Sequence, residues 1–166
     1  MKLARFFAIL ALFLSALGSL ACSGNAGKNA NSQAAATANH SIDNPNSPKT
    51  NVEELGLLVN IPYTPEDIVW KEDAAHKHLT GVLRFSAEDA GKLVAEAGKI
   101  RAPQNVSVPV ESWFPDELVA QADMSGDSSL KGVSYAANNF YQEPYVDGRI
   151  IRVEGGDYFI LELAGK

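Results

Sequence analysis

The stretch from Ser23 to Thr50 limits the size of any fold that this chain can form. It is rich in Asn, Ala and Ser, it contains no aromatic residue, and its one branched aliphatic residue is Ile42. Such a segment buries too little apolar surface to offset the loss of chain entropy, so we expect it to be disordered. Because the chain has 166 residues, residues 51–166 remain for a single globular domain with one modest core.

The first residues have the pattern of an export signal. Lys2 and Arg5 give a positive start, and an uncharged, mainly apolar run extends from Phe6 to Ala21. As a helix this run is about 24 Å long, whereas a stable membrane span needs roughly 20 residues. A short apolar run behind a positive start and before small residues is typical of a cleaved signal. We therefore predict a signal peptide over residues 1–21.

The only cysteine, Cys22, directly follows this run, after Leu20 and Ala21. This end of the chain resembles bacterial lipoproteins processed by signal peptidase II, whose lipobox reads roughly Leu-(Ala/Ser)-(Gly/Ala)-Cys. The resemblance covers residues 1–23. It implies that Cys22 is linked to diacylglycerol, becomes the new N-terminus and is N-acylated, so that residues 22–50 are a lipidated tether. The alternative is an ordinary secretory signal with an incidental cysteine.

The same resemblance implies a location in the bacterial cell envelope. The residue after the cysteine is Ser23, not Asp, which by the family's sorting rule favours the outer membrane where a bacterium has two. Loss of Lys2 and Arg5 changes the formal net charge from -6 to -8. An acidic surface repels nucleic acid and anionic lipid. We therefore expect no nucleic-acid partner and membrane attachment only through the lipid on Cys22.

A Gly-Gly pair predicts a hairpin near the end of the folded part. Gly155 and Gly156 separate two β-rich runs, Arg149–Glu154 and Asp157–Leu163. Such a pair between alternating runs predicts a hairpin. A two-residue turn would place Val153 opposite Tyr158, Ile151 opposite Ile160, and Arg149 opposite Glu162.

Two helices and three further strands complete the predicted fold. Ser86 can cap a helix over residues 87–98, and a second helix is predicted from Pro115 to Ala122. The further β-rich runs are Ile68–Trp70, Leu79–Phe85 and residues 133–141, and alternation places Leu79, Gly81, Leu83 and Phe85 on one face. This order predicts an α+β domain, a small antiparallel sheet of about five strands with two helices packed on one face.

The segment from Tyr135 to Tyr145 has the composition of a recognition surface. Tyrosines there are interleaved with Asn and Gln, a mixture that gives aromatic contact area at little entropic cost. We predict a binding surface formed by Tyr141, Tyr145 and Asn139. The alternative is that these rings fill the core.

The candidate catalytic patterns are incomplete. Gly126–Leu130 resembles the serine motif of the GDSL esterases and lipases, but that family places its base histidine downstream, and the last histidine here is His78. The string is therefore interpreted as a turn. Glu111 beside Trp113 is the carboxylate whose pKa an aromatic neighbour could raise. The alternative is that Glu111 has no catalytic role and lies at the rim of the core, where Trp113 and Phe114 form a hydrophobic plug under the second helix.

The candidate metal patterns are weak too. His76 and His78 would share one face of a strand and could bind a metal with Glu72 or Asp73, but their polar surroundings favour a solvated loop. Asp123, Ser125 and Asp127 alternate like the start of a calcium loop, without its Gly and late Glu. We predict no metal site and no cofactor.

The function indicated by these patterns is interaction. We expect a lipid-anchored envelope protein whose domain binds another protein or envelope component, and a non-enzymatic role is favoured. Two alternatives remain open. One is a small envelope enzyme that uses carboxylates which the sequence does not pair, and the other is a structural accessory subunit of an envelope complex.

Overall fold

A computed structural model describes residues 47–166; Cys22, the predicted signal peptide and nearly all of the predicted tether lie outside the described residues. Residues 47–166 form an antiparallel sheet of six strands in the order β1-β2-β6-β5-β4-β3. The strands are β1 (Asp67–Asp73), β2 (His78–Arg84), β3 (Gln104–Pro109), β4 (Ser129–Ala136), β5 (Tyr145–Val153) and β6 (Tyr158–Gly165). The helices are α1 (Val52–Gly56), α2 (Ala87–Ile100) and α3 (Asp116–Ser125), with a 3₁₀ turn at Asn138–Phe140. The predicted α+β class is confirmed, with one strand more than expected.

Helix α2 forms where the sequence predicts it, because both its cap and its apolar stripe are local. The Ser86 hydroxyl accepts a hydrogen bond from the Asp89 N–H at 3.1 Å, which satisfies one of the free donors of the first turn. Ala90, Leu93 and Ala97 are buried on one side. They pack in a core cluster with Leu83, Phe85, Phe159 and Leu161.

Helix α3 lies on the other face of the sheet. Its buried residues Leu118 and Ala122 belong to a second cluster with Ile151, whereas the neighbouring Ile150 belongs to the cluster of α2. Successive residues of a strand point to opposite faces, so the two clusters lie on opposite sides of the sheet. The prediction that both helices pack on one face is therefore wrong. A sheet that is apolar on both faces needs cover on both, and periodicity within each element does not show which face a helix takes.

The predicted hairpin is confirmed in its register. Arg149 pairs with Glu162 and Ile151 pairs with Ile160. The Arg149 Nε donates to Glu162 Oε2 at 2.6 Å. Gly155 has a φ of +88°, a conformation that glycine adopts without strain. The charge pair and the turn thus agree with the alternation of the flanking runs.

Strand β3 has no counterpart among the predicted elements. Val106, Val108 and the following Val110 alternate with Ser107 and Pro109, but the run is short and contains a proline. It pairs only with β4 and forms one border of the sheet. Its addition changes the predicted five strands to six. Among the described helices, none is both long enough and apolar enough to cross a membrane.

Candidate binding site

Tyr145 is a core residue, which corrects its predicted place on a binding surface. Its side chain is 1% exposed. The phenol donates a hydrogen bond to Glu72 Oε1 at 2.6 Å. Burial, and then the neighbouring Glu72 carboxylate, raise the pKa of Tyr145 well above its ordinary value. The ring therefore fills the α2 side of the core, and its hydroxyl serves a hydrogen bond between β5 and β1.

Asn139 lies at the surface, but its polar atoms bind within the domain. Its side-chain amide donates to Glu96 Oε2 at 2.8 Å. Its main-chain carbonyl accepts from Asn60 Nδ2 at 2.6 Å. The Tyr63 hydroxyl donates to the other oxygen of Glu96 at 2.8 Å. Asn139 thus joins the 3₁₀ turn to α2 and to the segment after α1.

Tyr141 is half-buried, and its hydroxyl donates to the Gly148 carbonyl at 3.1 Å. Burial and the nearby Asp147 carboxylate raise the pKa of Tyr141, while the Arg101 charge opposes the rise. The recognition surface is thus reduced to Tyr141 and Asn139, both already engaged in internal hydrogen bonds. Their contact with a partner stays a prediction.

The other candidate residues have structural surroundings. The Trp113 indole N–H donates to Glu111 Oε2 at 2.6 Å, and its ring meets the Phe114 ring edge-on at 4.7 Å between centroids. Phe114 is 4% exposed and packs in the cluster of α3, as the plug interpretation predicts. Gly126, with a φ of +73°, ends α3, so the Gly-Asp-Ser string follows a helix end.

The histidine pair is solvated. His76 Nδ1 lies 2.7 Å from Asp73 Oδ2, and both side chains are at least half exposed. Within residues 47–166 there is no group of three or more His, Cys, Asp or Glu side chains that could hold a metal ion.

The free edge of β3 is the feature that the sequence did not reveal. The Val110 N–H donates to the Ser128 carbonyl, so this position faces β4. In an antiparallel pair the hydrogen-bonding direction alternates along the strand. Val106 and Val108 therefore bind β4, while Asn105 and Ser107 direct their N–H and C=O groups away from it. Within the described part of the chain, no strand pairs with this outer edge.

A cleft of about 760 Å³ lies beside this edge, which we call the β3 cleft. It crosses β3, β4 and β5 and ends at the β5–β6 turn; its lining includes Asn105, Ser107, Lys131, Gly132, Val133 and Arg152. A Cβ at Gly132 would lie 2.5 Å from the Arg152 carbonyl oxygen, so only glycine fits there. Lys131 is exposed, and within residues 47–166 it forms no salt bridge. Arg152 is half-exposed and pairs with Asp157 at 2.7 Å.

Comparisons with protein-family models, with curated proteins and with solved structures found no match to this chain.

Proposed function

We propose that this protein is a lipid-anchored protein of the bacterial cell envelope whose domain binds an extended segment of a partner protein along β3. The observation that carries the proposal is the free edge of β3 beside the β3 cleft. An exposed edge strand offers a row of unpaired donors and acceptors, and partner peptides often bind such an edge as an additional strand.

The sequence around β3 sets the length of the contact. Pro109 occupies an outward position and has no N–H, and Pro103 directly precedes the strand. Proline on an outward position blunts an edge without breaking the ladder on its inner side. Asn105 and Ser107 lie between the two prolines and supply the outward N–H donors. A bound segment would thus form its main-chain hydrogen bonds within this short window.

Side chains beside the window indicate what the segment carries. Val106 and Val108 belong to the cluster of α3 and give that side of the edge an apolar character. On the other side Ser107 pairs with Lys131, which is exposed. A segment that alternates apolar and acidic residues would place its apolar side chains next to the valines and its carboxylates near Lys131.

This charge pattern favours a partner protein over a second copy of the chain. In a symmetric pairing of two β3 strands, each edge would meet the other copy's Asn105 and Ser107, which carry no charge. Lys131 would then gain no counter-ion.

The first test targets the outward donor at position 107. A random peptide library is panned against the full chain, and the affinity of the selected peptides is measured by calorimetry for wild type, Ser107→Pro and Ser107→Ala. The proline variant lacks the outward N–H, so the peptide carbonyl loses its partner and Kd should rise about tenfold or more. Ser107→Ala is the matched control, because it loses the same hydroxyl, which binds Ser129 Oγ at 2.9 Å, but keeps the N–H.

Three results would contradict binding at β3. The library could yield no binder, or the selected peptides could bind Ser107→Pro as tightly as wild type. Sedimentation could also show that the wild-type chain dimerises and that Ser107→Pro abolishes the dimer, which would assign the edge to a second copy.

The second test concerns the anchor. Cells that express the protein are labelled with an alkyne fatty acid, and we expect label on wild type and none on Cys22→Ser, because the acyl chains need the thiol and the new N-terminus that Cys22 supplies. Equal labelling of the two proteins, or an unlabelled chain that still carries Met1, would refute lipidation at Cys22 and leave the peptide site untouched.

A further inference from the structure

A second cleft lies at the opposite end of the sheet from the β5–β6 turn. It has a volume of about 280 Å³ and is lined by His78, Arg101, Gly148, Arg149, Glu162, Leu163 and Ala164. We call it the basic cleft. Its lining contains two arginines and a histidine against one carboxylate, although the chain as a whole is acidic.

Strand pairing brings the side chains of Arg149, Glu162 and His78 together, and Arg101 joins them from the end of α2. Arg149 pairs with Glu162, and His78 pairs with Ala164 on the next strand. The pairing places all four residues on the face that carries Ile151 and Ile160, which is the face of α3. The buried residues of α3 pack against the other half of this face, next to Val82, Leu130 and Val153. The buried residues of α3 therefore do not cover the polar half around Arg149.

The arginines keep free donors in this cleft. Arg149 donates through its Nε to Glu162 and its side chain is 41% exposed, while its terminal amino groups form no hydrogen bond within residues 47–166. Within residues 47–166 neither Arg101 nor His78 forms a salt bridge. Arg101 directly follows α2, and its charge acts on the nearby Tyr141 phenol. Among the residues that line the cleft, two guanidinium groups stand against a single carboxylate, so the lining carries a net positive charge.

We infer that the basic cleft binds an oxyanion, a phosphate or carboxylate group, held between Arg101 and Arg149. Planar guanidinium forks match the oxygens of both groups and can bind them through two parallel hydrogen bonds. The cleft is smaller than the roughly 300–1,000 Å³ usual for a whole organic ligand, which fits a charged group on a larger molecule. The inference is independent of the peptide site, because the two clefts share no residue.

The experiment titrates the full chain with inorganic phosphate, acetate and glycerophosphoglycerol, the water-soluble headgroup of an anionic lipid. Arginine Nε–Hε resonances are followed by NMR, with sodium chloride at matched ionic strength as the salt control. We expect saturable shifts at Arg101 and Arg149. Arg101→Gln should weaken binding about tenfold, since it removes one of the two forks. Glu162→Gln should tighten it several-fold, since it removes the competing carboxylate from Arg149.

Arg84→Gln is the matched control. Arg84 lies at the other end of β2, exposed and 5.8 Å from the Tyr158 ring centroid, and its loss changes the net charge equally. Wild-type affinity in this variant supports a specific site, and the probe that binds most tightly identifies the source of the anion. The inference is overturned if chloride reproduces the shifts, if Arg84→Gln weakens binding as much as Arg101→Gln, or if Glu162→Gln leaves the affinity unchanged.

Discussion

The two edges of the sheet differ in how the chain treats them. At β1 the main chain of Lys49 donates to and accepts from Trp70, each at 2.8 Å, and the Asp67 carboxylate accepts from the Ile68 N–H at 2.9 Å. At β3 the outward groups of Asn105 and Ser107 have no such partners within the described residues. The chain thus covers the β1 edge with residues that precede the first helix, whereas the outer edge of β3 stays unpaired within the described residues.

The β1 edge is also more firmly packed than the β3 edge. Ile68 and Trp70 of β1 are both buried in the cluster of α2. Of the β3 residues only Val108 is buried, at 4% exposure. A border strand held by one buried side chain can adjust to an incoming segment at little cost, whereas β1 is fixed by its indole and its neighbours. The comparison shows that the unpaired edge is also the less firmly packed edge.

The largest expected effect separates the two sides of β3. Val108→Pro removes an N–H that binds β4 and disturbs a buried side chain, so it should lower the free energy of unfolding by about 3 kcal/mol. Ser107→Pro, one residue away, should cost about 1 kcal/mol or less, because its N–H points outward. Urea denaturation of both variants measures the difference. Equal losses would mean that the hydrogen-bonding direction along β3 is assigned incorrectly.

A medium effect is expected at the covered edge. The Trp70 indole N–H donates to the Asn51 carbonyl at 3.0 Å, and the ring is 1% exposed. Trp70→Phe should cost about 2 kcal/mol, because it leaves that carbonyl unpaired and opens a cavity, and it should speed hydrogen exchange of the Lys49 amide. Trp113→Phe is the control, since its indole binds only the exposed Glu111, and it should cost less than about 1 kcal/mol. If the hydrogen-exchange rate of the Lys49 amide were unchanged in Trp70→Phe, the indole would not be what holds the Lys49–Asn51 segment against β1.

The smallest effect lies in the turn that connects β1 to β2. The side-chain hydrogen bond to His76, with its main-chain hydrogen bond, holds the pKa of Asp73 below the ordinary value of 3.8. A carboxyl group with a lowered pKa stabilises the fold above its unfolded pKa, and this contribution disappears as pH falls through the folded pKa. Asp73→Asn should therefore lower Tm slightly at pH 6 and not at all near pH 2. A deficit that persisted at pH 2 would point to the hydrogen bond to the His76 N–H rather than to charge.

Much of the architecture could be predicted because its signals are local. The cap at Ser86 and the glycine turn at 155–156 each act within a few residues of the chain, and the turn in its own right brings Arg149 opposite Glu162, 13 residues further on. The α+β class follows from them. Tyr145 shows the limit of the same reasoning, because the Tyr- and Asn-rich composition of its segment suits a surface as well as a core. What buries it is its position on β5 together with Glu72, a residue far away in sequence.

The candidate binding site at β3 could not be predicted in the same way. The alternating pattern of β3 is short, and it does not predict that β4 is the only described strand beside it. Asn139, the predicted contact, carries a side-chain amide that can donate a hydrogen bond either to a partner or to Glu96. Only the packing of the 3₁₀ turn against α2 directs this hydrogen bond to Glu96.

By itself the sequence determined helices α2 and α3, the β5–β6 hairpin and the lipobox-like pattern on which the predicted anchor depends. The tertiary structure alone decided which face each helix covers, which tyrosine is buried and which strand is left at the border. The physical reason is range. Caps, turns and alternation act between near neighbours, whereas an edge, a face and a cleft arise from strands that meet only after the whole sheet has assembled.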